Sequence, residues 1–256
     1  LAAYSAAGAC EIGAHLHPWV SPPYSERLGS AQSYACNLGI DLELAKIGEL
    51  RDAIGEHLGV TPRVYKAGRY GFGPTTAHVL EMLGFDVDLS INPHMDYRAD
   101  GGPTFDAFDA WPRFFGSDRR LLEVPCTTGF VGAARRLGGS LHRAASVSWL
   151  QPVRAVGMLS RTGTLNKIML SPEGSTLAEM VALTKTLHRD GLRTFSLTLH
   201  SPSLKPGCTR YARTVSERDA LLDTIDQYCR FFLHDLGGVS GTPASWYDQL
   251  TRGNAT

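Results

Sequence analysis

The sequence lacks an excess of either charge, a paired-cysteine motif and a long apolar run. Lys plus Arg and Asp plus Glu number 25 each, so no overall field favours nucleic acid or an anionic membrane as a partner. The five cysteines are scattered without a CxxC pair, which argues against a zinc ribbon or a disulfide framework and favours free thiols. No apolar stretch approaches the roughly 18 residues of a transmembrane helix. We expect a cytoplasmic protein without a transmembrane segment.

Several sequence signals of common enzyme classes are also missing. No GxSxG motif occurs, so a serine hydrolase has no support. The glycines of GRYGFG do not have the GxGxxG spacing, which argues against dinucleotide binding. The opening LAAYSAAGACEIG lacks the basic and apolar regions of a secretory signal, and the first residue is Leu1 rather than Met. We expect one domain over residues 1–256, with an amino-terminal piece missing.

Helices and strands are predicted to alternate along the chain. Three predicted helices each precede a glycine stop: 41–58, 74–83 and 175–189, the last with Ser175 as a possible N-cap. Each leads into a β-rich run with a polar tail: TPRVY before KAGRYG, FDVDLS before INPHMDY, and RTFSLTL before HSPSLKPG. LLEVP at 121–125 and LNKIML are further predicted strands, and 140–149 a further helix. This alternation predicts βα units, with polar residues grouped at the carboxyl ends of parallel strands. An open doubly wound sheet would place ligands at the same face as a barrel.

The segment EIGAHLHPW contains the sharpest candidate site. On a strand, His15 and His17 point to the same side, which suits two imidazoles on one divalent ion. Pro18 ends the strand, and Trp19 is suited to stacking on a sugar. The same residues also fit partly buried histidines bonded to backbone carbonyls, with Trp19 in the core.

Three other segments carry candidate functional residues. His200 directly follows the strand of LTLHSPSLKPG, where a histidine can act as a general acid or simply cap a loop. Arg69 in YKAGRYGFG offers a rigid fork for a carboxylate. In DVDLSINPHMDY, the polar residues fit either turn formation or substrate contact: Asp88, Ser90, His94 and Asp96.

Taken in order, five motifs resemble the polysaccharide deacetylases of carbohydrate esterase family four, and within it the WalW-like branch associated with lipopolysaccharide and exopolysaccharide synthesis. The motifs are GAHLHPW, YKAGRYG, VDLSINP, LLEVPCTTG and LHSPSLKPG, and they run from about Cys10 to about Tyr211. The resemblance implies a deformed (β/α)₇ barrel. It also implies a divalent metal, with Zn²⁺ favoured and Co²⁺, Ni²⁺ or Mn²⁺ as alternatives. The implied reaction removes acetyl from an N-acetylated carbohydrate.

The resemblance also implies roles for individual residues. His15 and His17 match the metal-binding histidines, separated here by one residue instead of the common three. His200 matches the histidine that protonates the leaving amine. KAGRY matches the motif that orients the catalytic carboxylate, with Lys66 at the usual arginine position and Arg69 as the other candidate. Substrate contacts are expected from Trp19, Lys66, Tyr70, Asp88, Ser90 and Ser201.

One family motif has no counterpart in the chain. The paired aspartates that supply a metal ligand and the base are expected on a strand upstream of Leu1, so we expect this chain to lack its first barrel strand. Two histidines alone leave a metal undercoordinated. A catalytically inactive carbohydrate-binding homologue therefore stays open. So does an amidohydrolase-type metallohydrolase, in which His94, Asp96 and His200 supply further ligands.

Overall fold

The computed structural model describes residues 1–27, 29–117, 120–145 and 163–253 of the chain. It shows a mixed α/β protein with a mainly parallel central sheet. The contacts between residues divide the chain into two compact units. Unit 1 contains Leu1–Pro125 and Gly241–Thr256, and unit 2 contains Cys126–Ser240.

A five-stranded sheet forms the centre of unit 1. Its strands are β1 (Ala14–Leu16), β2 (Val64–Ala67), β3 (Val87–Asp88), β4 (Arg113–Phe115) and β5 (Leu121–Glu123). Their order across the sheet is β1-β2-β3-β5-β4; β4 pairs with β5 in antiparallel fashion, and the other pairs are parallel. The carboxyl ends of the four parallel strands therefore meet at one edge, as the βα pattern predicted.

Four helices accompany this sheet: α1 (Ala2–Ala6), α2 (Ile40–Leu58), α3 (Pro74–Met82) and α7 (Pro243–Gly253). The predicted ends of α2 and α3 are confirmed by Gly59 and Gly84, whose φ angles of 67° and 74° are left-handed. Apolar side chains of these helices and the sheet form the core, including Leu16, Ile47, Tyr65, Val79, Leu80 and Leu121.

The described residues of unit 2 form an antiparallel ribbon and three helices. The ribbon pairs β6 (Thr128–Val131) with β7 (Asn166–Met169), and the helices are α4 (Gly138–Ala145), α5 (Leu177–Arg189) and α6 (Val215–Arg230), which runs into a π-helical turn at Phe231–Asp235. Helix α5 packs on β6, where a Cβ at Gly129 would meet Leu183 and Leu187. The loops of the two units also contain short 3₁₀ turns: Pro18–Val20, Ala31–Ser33, Ala35–Asn37, Gly68–Tyr70, Arg98–Asp100, Arg135–Leu137 and Ser201–Leu204.

Several predicted boundaries are corrected by the structure. Helix α5 is capped by Thr176 rather than Ser175, and Glu179 occupies the third helical position that completes a capping box. The predicted strand RTFSLTL is not a strand, although the Thr198 N–H donates to the Leu170 carbonyl at 3.1 Å. Strand β6 was not predicted. The predicted helix 140–149 begins at Gly138, and its residues 146–149 lie outside the described ranges. No described helix is both long and apolar enough to cross a membrane.

Candidate functional site

His15 and His17 lie side by side at the end of β1. Their ring centroids are 4.5 Å apart and their planes are nearly perpendicular, at 84°. His17 is followed by the turn Pro18–Val20, which ends the strand. The alternation of side chains along a strand thus places both imidazoles on one side, as the sequence predicted.

Two contacts with β2 fix these rings. His15 Nδ1 lies 2.9 Å from the backbone carbonyl of Lys66, its register partner on β2. With Nδ1 protonated, this bond fixes the tautomer in which Nε2 carries the lone pair, an arrangement common around protein-bound metals. The His17 ring packs against Gly68, where a Cβ atom would overlap both the ring and the Leu16 carbonyl. Glycine at position 68 is therefore required by this close approach.

The spacing of the pair is not by itself that of a metal site. With metal–nitrogen distances of about 2.1 Å and tetrahedral angles, two imidazoles on one Zn²⁺ have ring centroids about 5.2 Å apart. The observed 4.5 Å is shorter and is typical of an edge-to-face ring contact. Among the described residues, no group of three or more His, Cys, Asp or Glu side chains could hold an ion. The described residues therefore do not form a complete metal site.

Two buried carboxyl groups occupy the neighbouring strand ends. Asp88 on β3 and Glu123 on β5 are register partners, and both are fully buried. Burial raises the pKa of Asp88, while hydrogen bonds to Glu123 and Ser90 and the charge of Lys66 oppose the increase. Two carboxyl groups held this close share a proton more readily than they both ionise. Glu123 was missed because nothing in LLEVP distinguishes it from a strand residue facing solvent.

Ser90 completes this buried network. Its hydroxyl donates to Asp88 at 2.6 Å and accepts from the Ala67 N–H at 2.7 Å, so it ties β3 to the end of β2. Asp88 and Ser90 were expected to contact substrate, but neither side chain has exposed surface in this structure. They instead hold the strand ends in place. Lys66 Nζ donates to the Leu89 carbonyl at 2.7 Å and lies 5.1 Å from the Tyr70 ring.

Arg69 and Trp19 line a surface cavity of unit 1. The cavity has a volume of about 400 Å³ and is lined by Trp19, Gly29, Ser30, Gln32, Ser33 and Arg69. Trp19 packs on His17 with ring centroids 4.6 Å apart. Arg69 donates to Ser33 Oγ at 2.5 Å and to Asp100 at 3.2 Å, so its carboxylate partner is Asp100. Tyr70 stacks on Tyr97 with centroids 5.5 Å apart.

His200 in unit 2 is held by a carboxylate that the sequence analysis did not identify. Its Nδ1 lies 2.6 Å from Glu173 Oε2, and the His200 side chain is 64% exposed while that of Glu173 is 4% exposed. The other Glu173 oxygen accepts from Ser203, which also lies 2.9 Å from Thr209 Oγ1. The expected substrate contact, Ser201, is exposed, and the buried serine of this loop is Ser203. LSPEG contained the relevant glutamate, but no spacing rule connects it to His200.

Of the residues named for the amidohydrolase alternative, Asp96 pairs with Arg98 in this structure. Asp96 accepts three hydrogen bonds from Arg98, one from the backbone and two from the guanidinium. These bonds lower the Asp96 pKa and favour the turn-forming interpretation. His94 has a left-handed φ of 60° and buries part of its ring.

All five cysteines are free thiols, as expected. Burial and the nearby Glu43 raise the pKa of Cys36 to about 11, so this thiol is a poor nucleophile at neutral pH.

Comparison of the chain with protein-family profiles, curated proteins and solved structures finds no match.

Proposed function

We propose that the chain is a metal-dependent deacetylase of the polysaccharide-deacetylase type, acting in the cytoplasm on an N-acetylated sugar of a lipopolysaccharide or exopolysaccharide. The observation that carries this proposal is the paired arrangement of His15 and His17 at a carboxyl-terminal strand end, with His15 Nδ1 held by a carbonyl. A divalent ion, with Zn²⁺ favoured, would be bound through the remaining ring nitrogens. The deformed (β/α)₇ barrel belongs to the same proposal.

His200 is proposed as the general acid. A histidine that donates a proton needs one ring nitrogen fixed by a hydrogen bond and the other facing the substrate. Glu173 fixes Nδ1 of His200, and the imidazole is largely exposed. In this role His200 gives the Nε2 proton to the amine that departs when the amide bond breaks, and the Glu173 carboxylate stabilises the imidazolium before the transfer. The described residues contain neither a third metal ligand beside the histidine pair nor an assigned base.

Metal titration tests whether His15 and His17 bind a divalent ion. We expect calorimetric titration of the full chain with Zn²⁺ to show one site, and Co²⁺ to give the absorption of nitrogen-coordinated ion. His15→Ala and His17→Ala should each weaken Zn²⁺ binding at least about tenfold, since each removes a ligand. His78→Ala is the matched control, because His78 is exposed on α3 and should leave the affinity unchanged.

The outcomes separate two functions. Acetate release from N-acetylated oligosaccharides, dependent on metal and on both histidines, supports the deacetylase. Metal-independent carbohydrate binding without acetate release supports the inactive homologue, which is favoured by the incomplete ligand set among the described residues. A chain that binds no Zn²⁺ contradicts the proposed function.

A further inference from the structure

The cavity beside the histidine pair has the size and position of a sugar subsite. Its volume of about 400 Å³ lies within the range of small-molecule sites. Trp19 forms one wall, and the indole is 40% exposed although one side of it packs on His17. An exposed indole ring provides a flat apolar surface on which the C–H face of a sugar can stack. A sugar stacked there would lie next to the two imidazoles.

Among the described residues that line the cavity, Arg69 is the charged one. A guanidinium has five N–H donors, and the bonds to Ser33 and Asp100 use two of them. The guanidinium carbon lies 4.5 Å from the centre of the Tyr34 ring, which supports its plane from one side. The Asp100 side chain is 63% exposed, so this ion pair is weak. Most of the guanidinium N–H groups are left for another anion.

The backbone at this point is held in an unusual conformation. Arg69 and Tyr70 are consecutive non-glycine residues with left-handed φ angles of 53° and 59°. Such residues carry a conformational cost and are concentrated at ligand-binding positions. The preceding Gly68 packs against the His17 ring, so the same turn that fits the imidazole directs Arg69 to the cavity.

From these observations we propose that the Trp19–Arg69 cavity binds an acidic sugar residue, with the indole under the ring and the guanidinium paired to its carboxylate or phosphate. The proposal rests on the proposed function only in taking the ligand to be a carbohydrate. Gln32 supplies an amide group suited to sugar hydroxyls, whereas the Ser30 and Ser33 hydroxyls already donate to the carbonyls of Asp100 and Ser30. The class of substrate is thus an acidic polysaccharide rather than a neutral one.

Binding measured without metal tests this subsite separately from catalysis. The full chain in EDTA is titrated calorimetrically with a tetrasaccharide of alternating glucuronate and N-acetylglucosamine, and with the same tetrasaccharide after reduction of its carboxyls to alcohols. We expect the acidic form to bind at least about tenfold more tightly, with a preference that falls as salt rises. N-acetylglucosamine 6-phosphate against N-acetylglucosamine tests phosphate as the source of the anion.

Variants identify the groups responsible. Arg69→Gln should abolish the preference for the acidic form, and Trp19→Ala should weaken both forms. Asp100→Asn should strengthen acidic binding several-fold, because it removes the competing carboxylate. Arg113→Gln is a matched control, since Arg113 also pairs with an aspartate and lies over an aromatic ring but does not line the cavity.

Equal affinity for acidic and neutral probes, no binding of either, or a preference that survives Arg69→Gln would overturn the subsite. These results are independent of Zn²⁺ binding, so they leave the deacetylase proposal to its own test. Circular dichroism of Arg69→Gln and Arg69→Lys checks that the fold is retained. We expect Arg69→Lys to retain part of the preference for the acidic form, because lysine keeps the positive charge but cannot donate to both oxygens of a carboxylate from one planar group.

Discussion

At the scale of single residues, a histidine can act as a metal ligand or a proton donor when a hydrogen bond fixes one ring nitrogen and the other faces the metal or the substrate. His15 is held by the carbonyl of Lys66 and His200 by the carboxylate of Glu173. The two partners have different consequences. A neutral carbonyl fixes the tautomer of a neutral imidazole, as a metal ligand requires, whereas a carboxylate also stabilises the protonated ring, as an acid requires.

Glu173 is therefore expected to act as a positioning residue for His200. Glu173→Gln keeps the shape but removes the charge, and the glutamine amide can turn to donate to Nδ1. We expect turnover to fall by about tenfold or more, since a general acid typically contributes about 10²–10⁴-fold. The ¹⁵N spectrum of His200 should show less proton at Nδ1, a change that a merely structural role would not produce. Glu217→Gln, which alters an exposed ion pair, is the control and should leave that spectrum unchanged.

The partners of the candidate histidines were the least predictable part of the site. Sequence spacing placed His15 and His17 together because a strand alternates over two residues, a purely local rule. Glu173 is 27 residues from His200, and the cavity that joins Trp19 to Arg69 depends on how separate loops pack. Pairings of this kind come from tertiary packing, which a single sequence does not specify.

At the scale of elements, helix α2 anchors the segment that carries Trp19. Lys46 on α2 is fully buried, and its ammonium donates to the carbonyls of Pro18, Ser21 and Pro23 at 3.0, 2.6 and 2.7 Å. These three bonds use all three ammonium hydrogens. Glu26 Oε1 lies 3.0 Å from Nζ without hydrogen-bond geometry and balances the buried charge.

Lys46→Met should destabilise unit 1 strongly. The substitution removes the donor for three carbonyls and leaves Glu26 without its buried counter-charge, a change that costs about 3–5 kcal/mol in comparable ion pairs. Chemical denaturation should show this loss. Lys205→Met, at an exposed position, should change the free energy of unfolding by less than about 0.5 kcal/mol. An equally stable Lys46→Met protein would show that the segment does not depend on this ammonium.

Elements were predicted well where a local signal ended them. Gly59 and Gly84 mark the ends of α2 and α3 because their left-handed conformation carries no Cβ penalty. The α5 cap moved by one residue because Thr176, not Ser175, has Glu179 at the right distance for a reciprocal bond. RTFSLTL had the composition of a strand, but pairing depends on a neighbour, and here Ser196 N–H donates to the Thr127 hydroxyl instead of a strand carbonyl.

At the scale of the whole molecule, buried carboxyl groups give folding a distinct pH dependence. Glu43 on α2 is fully buried, accepts from Thr76 at 2.5 Å, and has no partner for Oε2 among the described residues. Burial raises its pKa from 4.5 to about 7, although the Thr76 bond lowers it. A raised carboxyl pKa means that the stabilisation is complete below pH 4.5 and is lost as pH rises through about 7. The raised pKa of Asp88 acts in the same direction.

We therefore expect the chain to unfold more easily at pH 8 than at pH 5, and Glu43→Gln to remove much of the difference. The change in pKa from 4.5 to about 7 corresponds to about 3 kcal/mol at alkaline pH. Denaturant titrations between pH 5 and 8 measure this slope directly. Glu49→Gln, an exposed position on the same helix, should retain the wild-type slope. A Glu43→Gln protein with the same slope as wild type would show that Glu43 ionises in the folded state without cost, because water or a rearranged donor reaches Oε2.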